Sequence, residues 1–121
     1  MGEAILYALD APHVVDVEAA SDLVEQHEGG DDAPTANIAA FFAALLQTWP
    51  EDGSSGAVWY EDFTHNKPTG NVLEMTFDLS EFSEEVLSTL RTLAGRHGLH
   101  VFDPEGEVLY LSNGVDVSPY A

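Results

Sequence analysis

A chain of 121 residues with 45% hydrophobic content is long enough to bury one core without staples, so residues 1–121 read as a single domain and not as a disordered acidic segment. Twenty-two Asp and Glu stand against three basic residues, Lys67, Arg91 and Arg96, for a formal net charge of −19; such a field repels nucleic acid and anionic membranes and steers basic partners toward the surface. The absence of cysteine excludes disulfides and thiolate chemistry. No apolar run approaches the roughly 20 residues of a membrane span, and the opening "MGEAILYALD" lacks the basic flank of a secretory signal, which together predict a cytoplasmic protein.

In chain order, "EAILYAL" is an apolar run of strand length, ended by residues 10–13 with Pro12; it is expected to be the first, central strand. Asp16 is placed to cap a short helix running to about residue 28, with Ala20, Leu23, Val24 and His27 on one face and Gly29-Gly30 as its stop. From Thr35, the positions Ile38, Phe41, Phe42, Leu45, Leu46 and Trp49 follow the i, i+3, i+4, i+7, i+8, i+11 spacing of an amphipathic helix that Pro50 terminates. "AVWYEDF", residues 57–63, has the aromatic and β-branched content of a strand. "THNKPTGN" links it to "VLEMTFD", where Leu73, Met75 and Phe77 alternate with Glu74, Thr76 and Asp78 and predict a sheet with one wet face.

Asp78 or Ser80 is then expected to cap a helix with Phe82, Val86, Leu87, Leu90, Leu93 and Ala94 on one side. Glu81, Glu84 and Glu85 sit in its first turns, and Arg91, Arg96 and His97 toward its end, as the helix dipole favours. Gly98 reads as the left-handed residue past the helix, with Leu99 folding back. "LHVF" is a short strand, "DPEG" a type I turn and "EVLYL" the return strand; the tail from Ser112 is expected to be loosely held. The order β-α-α-β-β-α-β-β predicts an α+β fold: an antiparallel sheet with two main helices packed on one face, close to a ferredoxin-like split β-α-β with a C-terminal hairpin.

The chemistry offered by these residues is sparse. His97 and His100 with Asp103 suggest a metal, but one lies at a helix end and the other on a strand beyond a glycine, so nothing aims the two rings at one point; helix cap and strand residue are the expected roles, with His100 and Glu107 on the outward side of the flanking strands. His13, His27 and His65 are scattered over loops and helix ends. Acid pairs such as Glu61-Asp62 and Glu84-Glu85 arise by chance among 22 acids, and there is neither a Gly-x-Ser-x-Gly elbow nor a glycine-rich loop followed by lysine. So few cations leave little to hold an anionic substrate. The expectation is a non-enzyme without cofactor or metal.

Trp49 lies in register with a core stripe, whereas Trp59 and Tyr60 point to opposite faces of their strand, one of them beside Glu61 and Asp62. The candidate partner-binding set is therefore Trp59, Tyr60, Glu61, Asp62, Glu74, Asp78 and Glu107, an acidic-aromatic surface for a basic protein.

The helix "PTANIAAFFAALLQTWP", the helix "SEEVLSTLRTLAGRHGL" and the ending "HGLHVFDPEGEVLYL" resemble small acidic single-domain bacterial proteins of unassigned biochemistry. Such domains are similar to immunity proteins, which neutralise a toxin of the same or a neighbouring cell. The resemblance implies an inhibitor of a basic protein partner such as a toxin and carries over no catalytic residue. Its sharpest motif, Arg96-His97-Gly98-Leu99 through Phe102-Asp103-Pro104, is a helix stop and a turn. Two alternatives fit the same composition: a halophilic domain whose acidity is salt adaptation, and a DNA mimic whose acids are spaced along one face like phosphates.

Overall fold

The computed structural model describes residues 3–27, 33–49, 59 and 70–118. Their elements are β1 (Glu3–Leu9), α1 (Val17–His27), α2 (Ala36–Thr48), β2 (Val72–Asp78), α3 (Glu84–Arg96), β3 (His100–Asp103), β4 (Val108–Tyr110) and β5 (Asp116–Val117). The five strands form one sheet in the order β2-β1-β3-β4-β5, antiparallel throughout. The first strand, expected to be central, is interior, paired with β2 on one edge and β3 on the other, while β3 holds the middle place. Because β2 and β3 both run antiparallel to β1 and flank it, they are parallel to each other with β1 between them, and β2-α3-β3 is a split β-α-β unit. Beyond β2, Trp59 makes an antiparallel bridge to Phe77; the rest of the strand expected over 57–63 lies outside the described residues. The expected α+β class and terminal hairpin are present.

Alternation sends the two sides of each strand into two cores. On one face Ala4, Leu6 and Ala8 of β1, Leu73, Met75 and Phe77 of β2 and Val101 of β3 meet Ile38, Phe41 and Leu45 of α2 and Leu90 and Ala94 of α3. On the other face Leu9, Val72, Phe102 and Leu109 pack with Ala11, Val14 and Ala20, flanked by Leu23 and Val24 of α1. The two main helices thus share a face, and α1 covers the opposite face at one end of the sheet. Val72, one residue outside the strand's alternating stripe, is buried there.

Local signals account for most element ends. The Asp16 carboxylate accepts from the Ala19 N–H, and the Thr35 hydroxyl accepts from the Ile38 N–H, each satisfying a donor that the first helical turn leaves orphaned. Helix α3 closes with the Leu99 N–H donating to the Ala94 carbonyl, the Gly98 N–H to the Gly95 carbonyl, and Gly98 at φ +70°. This is the Schellman pattern read from "RHGL", with Leu99 buried beneath it.

Three expectations need correction. Helix α3 is capped by Ser83, whose hydroxyl accepts from the Val86 N–H, and not by Asp78 or Ser80. The Asp78 carboxylate instead accepts from the backbone and hydroxyl of Ser80, so residues 79–82 spend one turn leaving the strand before the helix starts. The tail from Ser112 is held, since β5 pairs with β4 and the Leu111 N–H donates to the Val115 carbonyl. Finally, His100 does not face outward: it is 5% exposed, because its partner across the ladder, Leu9, puts it on the side covered by the connection between β1 and α1.

Candidate interaction face

Where α1 does not reach, the second face of the sheet along β1 and β2 carries half-buried and exposed side chains. Three cross-strand pairs, Glu3 with Asp78, Ile5 with Thr76 and Tyr7 with Glu74, stand on this face, because their neighbours Ala4, Leu6, Met75 and Phe77 are committed to the α2/α3 core. Successive pairs are about 6.7 Å apart along the strands, so Glu74 and Asp78 are separated by about 13 Å. The Tyr7 hydroxyl donates to Glu74 Oε1 at 3.2 Å, and the Tyr7 ring tilts onto Phe102 at 6.4 Å between centroids. These contacts fix one aromatic ring on this face with a carboxylate beside it. At the other end Glu3 and Asp78 face each other as like charges, an unfavourable pairing that a cation placed between them would relieve.

The structure brings Glu74 and Asp78 of the expected set together and adds Glu3, Ile5, Tyr7 and Thr76 to them. Little in the sequence signals these additions: "EAILYAL" reads as an apolar run, with polar groups only at Glu3 and Tyr7. The pairing register lays these two beside Asp78 and Glu74. Glu107 lies in the β3–β4 loop, at the end of the sheet where Glu3 and Asp78 stand. It occupies φ +52°, the left-handed position closing the turn, while the Asp103 carboxylate accepts from the N–H groups of Glu105 and Gly106. Tyr60, Glu61 and Asp62 lie outside the described residues.

Trp59 is a correction to the expected set. It is 7% exposed, stacks on Phe77 at 4.9 Å, meets Trp49 edge-on at 6.0 Å and donates its indole N–H to the Trp49 carbonyl at 2.6 Å. Of the two alternating faces, Trp59 takes the core side. Its ring completes the α2/α3 core and gives the Trp49 carbonyl, past the end of α2, a donor.

A groove of about 780 Å³ runs between α3 and the β4–β5 turn, lined by Ser88, Arg91, Thr92, Arg96, Tyr110 and Asn113 among others. It collects two of the chain's three cations. Arg91 is committed: it bridges to Asp116, donates to the Gly114 carbonyl and lies 4.5 Å above the Tyr110 ring. The hydroxyl of Tyr110 is held above its ordinary pKa by burial and by Asp103 and Asp116, against the pull of Arg91. Glu84 and Asp116 also line the groove, which balances the two arginines. Arg96 sits at the C-terminal end of α3, where the negative dipole end occupies a cation and disfavours an anion.

The two histidines of the C-terminal motif lie on opposite sides of the sheet. His97 caps α3 with its ring edge-on to Phe41 at 6.0 Å, within the α2/α3 layer. His100 points the other way, its Nδ1 accepting from the Ser112 N–H at 2.9 Å. Among the described residues no three His, Asp or Glu side chains gather as metal ligands, and no helix is long and apolar enough to cross a membrane. Compared with protein-family models, with curated proteins and with solved structures, the chain has no match in any of the three.

Proposed function

We propose that this protein is a non-catalytic binding module that occludes a basic protein partner through the second face of the sheet along β1 and β2, in the manner of an immunity or inhibitor protein acting on a toxin inside the cell. The observation that carries the reading is the pairing of Tyr7 with Glu74 beside the facing carboxylates of Glu3 and Asp78, on a chain of net charge −19. A rigid aromatic supplies contact area at little entropic cost, and the flanking acids receive Lys or Arg side chains. The wider field speeds encounter and falls off with ionic strength.

The test uses the full chain as bait against an extract of its own source cells at about 0.05 and 0.15 M salt. Wild type is compared with Glu3→Lys/Glu74→Lys and with a charge-matched control on exposed positions of α1, Glu18→Lys/Glu25→Lys. Retention of a basic protein by wild type and the control, lost in the β1/β2 variant, is the expected result. Equal loss in both variants would show that bulk charge alone is at work, and no basic protein retained at either salt removes the proposal.

A second reading, salt adaptation, is favoured by the spread of exposed acids beyond this face, onto α1 at Glu18, Asp22 and Glu25 and onto α3 at Glu84 and Glu85. A melting temperature that climbs steadily from about 0.1 M into molar salt supports it. A plateau once the Debye length has shrunk below about 10 Å tells against it.

A further inference from the structure

His100 joins three pieces of chain. It pairs with Leu9 at the end of β1, its ring packs toward the Pro12 carbonyl of the following connection, and its Nδ1 accepts the Ser112 N–H at 2.9 Å. Because Nδ1 accepts, the neutral ring carries its proton on Nε2. That Nε2 is buried with no partner in hydrogen-bond geometry, although the Pro12 backbone is close enough to favour the charged ring.

Ser112 opens the segment that forms β5 and one wall of the groove beside α3, where Leu111, Ser112, Asn113, Gly114 and Asp116 line it. The opposite fastening of this segment is Arg91, through Gly114 and Asp116. Of its apolar side chains, Leu111 and Val117 are only partly buried, and Val115 is exposed.

We propose that His100 is an acid-sensitive latch, whose protonation at Nδ1 releases residues 112–118 from the sheet and opens the wall of the α3 groove. The chemistry is a conflict of donors. A proton on Nδ1 removes the lone pair that receives the Ser112 N–H and sets two donors against each other. It also places a charge where burial leaves little to solvate it.

The electrostatics agree with the geometry. Burial holds the imidazole below its ordinary value of 6.5, opposed by the Pro12 carbonyl. The ionisable groups of the surrounding elements are Glu3 and Tyr7 on β1, Asp10, His13 and Asp16 between β1 and α1, Glu18, Asp22 and Glu25 on α1, Glu84, Glu85, Arg91, Arg96 and His97 on α3, Asp103 on β3, Tyr110 on β4 and Asp116 on β5; the causes of the shift are burial and the Pro12 backbone, and none of these groups. A group whose pKa is depressed in the closed form binds its proton preferentially in the open form. Closure is therefore fully favoured above 6.5 and weakens as pH falls from 6.5 toward the closed-state value. Each unit of depression corresponds to about a tenfold rise in the open-to-closed ratio once pH is below both values.

The experiment is amide hydrogen exchange and histidine ¹⁵N NMR on the full chain from pH 7.5 to 5, with exchange expressed as protection so that its intrinsic pH dependence is removed. Expected are the Nε2–H tautomer of His100 at pH 7.5 and a several-fold or greater loss of protection at Leu111, Ser112 and Gly114 below pH 6.5, while amides of β1 and β2 keep theirs. In His100→Gln, whose side-chain carbonyl can still receive the Ser112 N–H, protection at these amides becomes independent of pH. Two wild-type results overturn the latch whether or not the variant folds: a His100 ring protonated on Nδ1 at pH 7.5, or protection of 111–114 that falls no faster than that of β1 and β2. A folded His100→Gln that retains the pH dependence does so as well.

Discussion

Replacing Trp59 by alanine separates the buried role of this residue from the surface role its sequence context suggests. An aromatic side chain hides about 150–250 Å², which at about 25 cal/mol/Å² corresponds to about 4–6 kcal/mol and is an upper bound, since the unfolded chain already hides part of that area. The stack on Phe77 and the edge contact with Trp49 contribute about 0.5–1.5 kcal/mol each beyond area, and the indole hydrogen bond to the Trp49 carbonyl about 1 kcal/mol. Partial collapse of the site offsets some of this, so the net cost is expected at about 3–5 kcal/mol, the range for large aromatic-to-alanine changes in cores. For a chain of this length that lowers Tm by about 12–20 °C. Trp59→Phe keeps most of the area and the stack and loses the N–H donor, with an expected cost of about 1–2 kcal/mol. Chemical denaturation and thermal melting of the two variants measure both numbers. A Trp59→Ala cost below about 1 kcal/mol, or equal costs for the two substitutions, would refute the placement of Trp59 in the α2/α3 core.

Glu3→Lys turns the like-charge pair with Asp78 into an opposite one and is expected to raise stability by about 0.5 kcal/mol in low salt, an increment that fades as salt is added; no gain at low salt would refute the pairing as drawn. Gly98→Ala meets no atom within 4 Å but forces alanine to φ +70°, so the backbone alone resists it; the expected loss is about 1 kcal/mol, or about 4 °C in Tm, and an unchanged Tm would mean that α3 does not end in the left-handed turn.

Much of this architecture was legible before the fold was known, and the legible parts share a cause. The Asp16 cap, the apolar stripe of α2, the Gly98-Leu99 stop and the alternation of β2 are properties of backbone stretches a dozen residues long or less. In such stretches spacing and side-chain chemistry act directly on neighbouring N–H and C=O groups. The interior place of β1 followed from its apolar content, since a strand paired on both edges and packed on the core with one face tolerates few polar positions. The start of α3 was misplaced because Asp78, Ser80 and Ser83 all have capping chemistry. Only the exit angle of β2 decides which of them meets the orphaned donors.

The acidity, the lack of cysteine and the α+β order were determined by the amino-acid sequence alone, because composition and local periodicity do not depend on what lies across the sheet. Tertiary structure alone decided which face each ambiguous side chain serves. Trp59 had two faces open to it and went to the core through contact with Trp49 and Phe77, residues 10 and 18 positions away. His100, which looked outward in a four-residue strand, was turned inward by register against Leu9, 91 residues earlier in the chain. The β1/β2 face exists only because Glu3 aligns with Asp78 and Tyr7 with Glu74. Pairing between distant segments is set by the summed burial of the whole core, and no short stretch of sequence carries that sum.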